Sequence, residues 1–282
     1  MQHDQSQPRQ AQPPSAVVAR QPAIFLPHGG GPCFFMDWPA GGNPWERLGD
    51  WLRGLSTTLP GRPRAILVVS GHWEAPQFTV NAGTAPELLY DYHGFPEHTY
   101  RLSYPAPGDP GLAGRVRELI AAAGLPGATE SARGFDHGVF VPFLLVDPQA
   151  SIPVVQLSLQ KGMDPERHIA LGRALAGLRD EGVLVVGSGM SYHNLRGFGP
   201  AFAAPSRRFD DWLTTAATHA DPAQRDAALA AWEQAPHART CHPREEHLLP
   251  LMVVAGAGGD DRGVKVFEDR VMDTTLSAFR FG

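Results

Sequence analysis

Short, continuously apolar runs alternate along this chain with longer stretches of helical periodicity. Runs such as ILVVS and VLVVGS are aliphatic throughout, as strands are when both faces of their sheet are covered. The pattern predicts strands at 23–27, 65–71, 77–81, 152–158, 183–189 and 264–268. Between them it predicts helices at 44–58, 110–123, 165–181, 206–219, 222–234 and 243–255. Two of these helices carry end signals: Asp109 then Pro110 opens one and Gly124 closes it, while Asp164 then Pro165 opens the next and Gly182 closes it. An aspartate side chain caps free N–H groups, proline suits the first turn, and glycine tolerates the left-handed exit. Strands alternating with helices predict an α/β fold, a three-layer sandwich with a central, largely parallel or mixed β-sheet flanked by helices.

Residues 1–20 are rich in Gln and Pro and lack the apolar stretch of a signal peptide, so a disordered tail is expected there. No repeat or Pro/Gly/Ser linker follows, and 21–282 is expected to be a single α/β domain. Segment 83–108 has no clear periodicity but holds four tyrosines and a phenylalanine. A loop of that length is a candidate lid over a planar substrate; the competing expectation is that its aromatics pack on the sheet as a satellite core.

Lys plus Arg number 24 against 29 Asp plus Glu, a net charge of −5 without a basic cluster. That balance argues against nucleic acid or an anionic membrane as partner, and no apolar run is long enough to span a bilayer. Only two cysteines occur, Cys33 and Cys241, which fits a reducing, cytoplasmic location. Both lie near histidines in sequence; a thiolate ligand is one reading and a small buried hydrophobe the favoured one.

The histidines follow the strand pattern. His28 follows AIFLP, His72 follows AILVVSG, and His193 follows VLVVGSGMSY, so each leaves the carboxyl end of a predicted strand. The strands ending at His28 and His72 are expected to be neighbours. His137 sits in FDHGVFVP at a loop–helix junction, and His247 lies about one turn into the helix that Pro243 is expected to open. Loops at the carboxyl ends of an open α/β sheet gather around one crevice, and imidazole is the commonest metal ligand. A metalloenzyme built from scattered histidines is therefore expected. His242, Glu245 and Glu246 are rival donors, since two histidines and one carboxylate also make an iron site. His3, His93, His98, His168, His219 and His237 are expected to be solvated, with His93 or His98 the ones placed to touch substrate. The glycines of LPHGGGP suit a close approach of backbone to ligand. They do not make an esterase oxyanion hole here, because no GxSxG follows. Walker A, GxGxxG, HExxH and CxxC strings are also missing.

Taken together, LPHGGGP, SGHW, YHGFPEHTYRLSYPAPGDP, GFDHGVFVPF, SGMSYHNL and HPREEHLLPLMVVAGA resemble the DOPA-type, class III extradiol ring-cleavage dioxygenases. The resemblance runs in order from about residue 22 to the end. It implies a catalytic α/β domain that holds one divalent metal and uses O₂ to open a catechol, DOPA-like or a related catecholic acid, beside its hydroxyls. Carried over by motif, the metal ligands fall on His28, His72 and His247. The acid/base falls on His193, and a residue facing substrate on His137. A related branch uses a glutamate as third ligand, which leaves Glu246 open. HGGGP departs from the HGSP of some relatives, a change for the pocket floor. Fe(II) is the metal the chemistry needs, and Zn(II) fits the same imidazoles without redox chemistry. A homo-oligomer is compatible with all of this. Two other readings remain at this stage: a zinc hydrolase with His193 or Glu74 as base, and a non-catalytic metal-binding relative.

Overall fold

A computed structural model describes residues 18–39 and 42–282; most of the tail expected at 1–20 lies outside them. Arg20, assigned to that tail, is held by ion pairs to Asp180 at 2.9 Å and Asp261 at 2.7 Å. Eight strands are described: β1 (Ala23–Pro27), β2 (Ala65–Ala75), β3 (Phe78–Asn81), β4 (Gly127–Glu130), β5 (Val154–Gln160), β6 (Val183–Gly189), β7 (Gly263–Val271) and β8 (Thr274–Phe281). They form one mixed sheet in the order β4-β3-β5-β2-β6-β1-β8-β7. The centre, β5-β2-β6-β1, is parallel, and the β8-β7 edge is antiparallel.

The helices are α1 (Glu46–Leu55), α2 (Pro110–Ala122), α3 (His137–Val146), α4 (Pro165–Leu175), α5 (Pro200–Ala217), α6 (Pro222–Ala230), α7 (Ala238–Cys241) and α8 (Leu249–Gly258). Asp109 caps α2 by accepting from Leu112 N, and Asp164 caps α4 by accepting from Glu166 N and Arg167 N. Gly124 leaves α2 with φ of +69°, as its position in the sequence requires, whereas α4 ends at Leu175 and a 3-10 turn, Ala176–Arg179, precedes Gly182, whose φ is +77°.

Alternation along β6 shows why the sheet is covered twice. A Cβ on Gly187 or Gly189 would strike the backbone of Pro250 or His247 at the start of α8, whereas Ser188 between them donates to Gly138 O of α3. Successive strand side chains point to opposite faces, so α8 and α3 flank the sheet from opposite sides. Both helices are buried around nearly their whole circumference. That is the three-layer arrangement, with the strands of the parallel centre almost wholly inaccessible.

Four expectations are corrected. The strands ending at His28 and His72 are not neighbours, because β6 lies between them. The predicted strand 65–71 continues to Ala75, so His72 lies inside β2; register against β5 jumps from Val69↔Leu157 to Glu74↔Leu159. Such a bulge re-aims side chains, and it turns His72 out of the ladder. The helix expected at 243–255 begins at Leu249, with Pro250 rather than Pro243 in its first turn, and His247 stands in the turn before it. His168, expected to be solvated, is fully buried: its Nδ1 donates to Asp164 O at 2.6 Å and its Nε2 accepts from Gln160 N at 3.3 Å.

Candidate metal centre

Because β2, β6 and β1 are adjacent and parallel, their carboxyl ends bring His72, His193 and His28 to one side of the sheet. The turn before α8 adds His247, and the first residue of α3 adds His137. All five meet. Nε2 of His72 lies 3.0 Å from Nε2 of His28 and 3.1 Å from Nε2 of His247. Rings of His72 and His137 are 3.9 Å apart between centroids, and His193 stacks on His247 at 3.4 Å.

Two of the three converging rings, His28 and His247, have a hydrogen-bond partner at the outer nitrogen that fixes the tautomer, and a carboxylate faces the third. Ser188 gives its only hydroxyl proton to Gly138 O, so toward His28 it can only accept, and His28 Nδ1, 3.0 Å away, must be the donor. His247 Nδ1 donates to Glu246 Oε1 at 2.9 Å. His72 Nδ1 faces Asp91 Oδ2 at 3.5 Å. With the His28 and His247 protons on their outer nitrogens, two Nε2 lone pairs converge on Nε2 of His72, and the three nitrogens form a group able to hold one ion. A divalent cation resolves that arrangement, and a metal-bound histidine is ordinarily held in this way from its far nitrogen. Burial, and then the neighbouring imidazoles, hold His28 and His72 well below the usual histidine range. Burial brings His247 down to about 4 against the opposing pull of Glu246. Neutral imidazoles are the form a metal takes up.

Carboxylates supply the frame. Burial works to raise the Glu246 carboxyl, but hydrogen bonds from His193 and His247 outweigh it and keep the group ionised. One oxygen of Glu246 thus serves two rings, with His193 Nδ1 at 3.2 Å. Glu246 groups with His193 and His247, while His28, His72 and His247 form their own group. Asp91 accepts from both His137 N at 3.0 Å and His137 Nδ1 at 2.7 Å. Asp136, fully buried and raised by burial, accepts from Ser70 Oγ at 2.7 Å and Arg133 Nη2 at 3.1 Å. It thereby pins the bulge that carries His72.

The other named candidates lie elsewhere. His242 is fully buried against Phe209 and Trp232, with Nε2 3.0 Å from Ser191 O. Glu245 pairs with Arg239 at 2.6 Å. Glu74 is bound twice by Arg244, at 2.5 and 2.6 Å, and is absent from the cavity wall, so it offers a hydrolase no free base. Cys33 lines the cavity and Cys241 does not. Burial raises both thiols, Cys241 to about 12, so they behave as small apolar side chains.

The loop 83–108 divides between the two roles expected of it. Tyr92 and Phe95 line the cavity together with His93, but Tyr104 is buried in the core and Tyr90 donates to Leu102 O at 2.6 Å, away from the histidines. His98 is exposed and contacts Phe35 O at 2.8 Å. The glycines after His28 do line the cavity, and a Cβ on Gly31 would meet Phe95 at 2.8 Å. Asp91 and Ser188 were not foreseen. Asp91 has no signal in an aperiodic loop, but Ser188 has one: a lone polar residue near the end of an otherwise aliphatic strand, as Ser70 is in β2.

Residues 22–280 match the family described as the catalytic LigB subunit of aromatic ring-opening dioxygenase. The chain belongs to that family, and within it to the class III extradiol dioxygenases of DOPA type. It is 37% identical to the dioxygenase tasH of Hapsidospora irregularis, over 95% of this chain and 87% of that one. It is 43% identical to the 4,5-DOPA dioxygenase extradiol of Beta vulgaris, over 71% and 75% of the two chains. The crystal structure of uncharacterized protein JW3007 from Escherichia coli K12 superposes with a TM-score of 0.73 at 31% identity, covering 93% of this chain and all of that one. Among the described residues no helix is long and apolar enough to cross a membrane.

Proposed function

We propose that the protein is a non-haem extradiol dioxygenase in which His28, His72 and His247 hold one divalent metal. The observation that carries the reading is the convergence of the Nε2 atoms of His28, His72 and His247, with the outer nitrogens of His28 and His247 held by Ser188 and Glu246. Three ligands on one side leave adjacent positions for two catechol oxygens and O₂. When bound, Fe(II) supplies the redox partner that lets O₂ react with the ring, whereas Zn(II) at the same imidazoles has no such chemistry.

The chain's own residues handle protons and orientation. His193 has its Nδ1 turned to Glu246 and its ring clamped on His247, leaving Nε2 to take a catechol proton and return it later as general acid. His137, fixed by Asp91 through both its backbone and its ring, stands beside His72 against the substrate. The apolar part of the wall limits the water that reaches the ring while it opens. The test is turnover of a catechol by the Fe(II)-reconstituted chain under ¹⁸O₂, with mass spectrometry of the yellow product. Incorporation of both oxygen atoms is expected; a product carrying oxygen from water alone would replace this reading with a hydrolase.

A further inference from the structure

The cavity in front of the imidazoles has a volume of about 590 Å³. That lies within the roughly 300–1,000 Å³ that holds a drug-sized ligand and exceeds what a bare catechol ring needs. Beyond the histidines its wall includes Met36, Trp38, Phe95, Met190, Leu195 and Met272. Two of the five exposed large apolar side chains among the described residues, Leu195 and Met272, belong to that wall. Met272 stands with φ of +46° in the two-residue turn joining β7 to β8, a position that favours asparagine or glycine. A methionine held there against backbone preference points to a use for its side chain.

Charge is missing where an acid would need it. Among the described residues no lysine or arginine lines the cavity; apart from its six histidines the one acidic or basic side chain there is Asp91, and Asp91 is committed to His137. Arg196 follows Leu195 in sequence but is not part of the wall, and Arg270 pairs with Asp273 at 3.0 Å. Three aromatic side chains of the wall also turn their polar hydrogens away: Trp38 Nε1 donates to Cys33 O at 2.8 Å, Tyr92 to Thr99 O at 2.7 Å, and Tyr192 to Gly197 O. A carboxylate entering this space loses water without gaining an ion pair, whereas an apolar tail gains by burial.

We infer that the substrate is a catechol bearing an uncharged, apolar substituent that lies against this wall, rather than a catecholic acid or amino acid; the inference rests on the ring-opening reading above. The test titrates the Zn(II)-loaded chain with 3-(3,4-dihydroxyphenyl)propanoate and with its methyl ester at pH 8, following fluorescence of Trp38 and Trp45, which both line the cavity. The ester is expected to bind tighter by on the order of tenfold, the scale of an uncompensated charge in a partly buried site. Leu195→Arg, at a side chain 74% exposed, is expected to recover most of that loss for the acid. Equal or tighter binding of the acid by the unaltered chain, or an ester that does not bind, overturns the inference. The Fe(II)-loaded chain under O₂ then separates the two claims. Ester preferred without ring opening defeats the dioxygenase reading alone, while ring opening with the acid preferred defeats this inference alone.

Discussion

His193 and Glu246 carry the sharpest tests at the scale of single residues, because one carboxylate oxygen orients both a proposed ligand and the proposed acid/base. His193→Ala is expected to keep its metal and its catechol binding while turnover falls by roughly 10²–10⁴, the usual cost of a removed acid/base. Metal analysis beside steady-state O₂ uptake checks this, and a metal-free His193→Ala protein would make His193 a ligand instead. Glu246→Gln keeps an acceptor for both rings but loses the charge. Its metal content at saturating metal is expected to stay near that of the parent, with affinity weakened by about 10–100-fold, as for other partners of metal-bound histidines.

At the scale of elements, the site depends on how closely α8 approaches β6. A Cβ on Gly189 would meet the carbonyl of His247, so Gly189→Ala must push the turn before α8 outward. Weaker metal binding is expected although no ligand is altered, together with a stability loss of about 1–3 kcal/mol typical of overpacking. Metal titration and thermal melting read the two effects, and wild-type metal affinity would contradict the packing argument. The loop 83–108 separates in the same way. Tyr104→Ala, at a side chain 1% exposed, is expected to lower stability by a few kcal/mol with kinetics unchanged in the folded fraction. Phe95→Ala, on the cavity wall, is expected to raise KM with little change in Tm. These contrasts follow what was and was not legible in the chain. The histidine cluster could be read because aliphatic runs mark β1, β2 and β6, and parallel neighbours release their loops at one end. The bulge inside β2 could not, since pairing with β5 and the hold of Asp136 on Ser70 decide it. The edge strand β4 is a half-exposed Gly-Ala-Thr-Glu without an apolar run. In β8 the buried polar residues Thr274, Thr275 and Ser277 interrupt the apolar pattern.

For the whole molecule, acid sensitivity has a source outside the histidine cluster. His168 is buried, neutral and brought down to about 4 chiefly by burial, while it ties the end of β5 to the start of α4. The unfolded chain takes up this proton near the ordinary value of about 6.5 and the folded chain only near 4. Stability from this residue is therefore complete above about pH 6.5 and falls as pH drops toward 4, by on the order of 3 kcal/mol in all. Denaturant unfolding of the parent and of His168→Asn between pH 7 and 5 checks this, with a shallower pH slope expected for the variant and an identical slope counting against it. Which atoms hold the metal is read from metal content after anaerobic Fe(II) loading and desalting. The parent is expected to retain one iron per chain, and His28→Ala, His72→Ala and His247→Ala each to lose it, while Glu246→Gln, loaded to saturation, retains it. Iron kept by His247→Ala and lost by Glu246→Gln would contradict the three-histidine site and put a two-histidine, one-carboxylate site in its place.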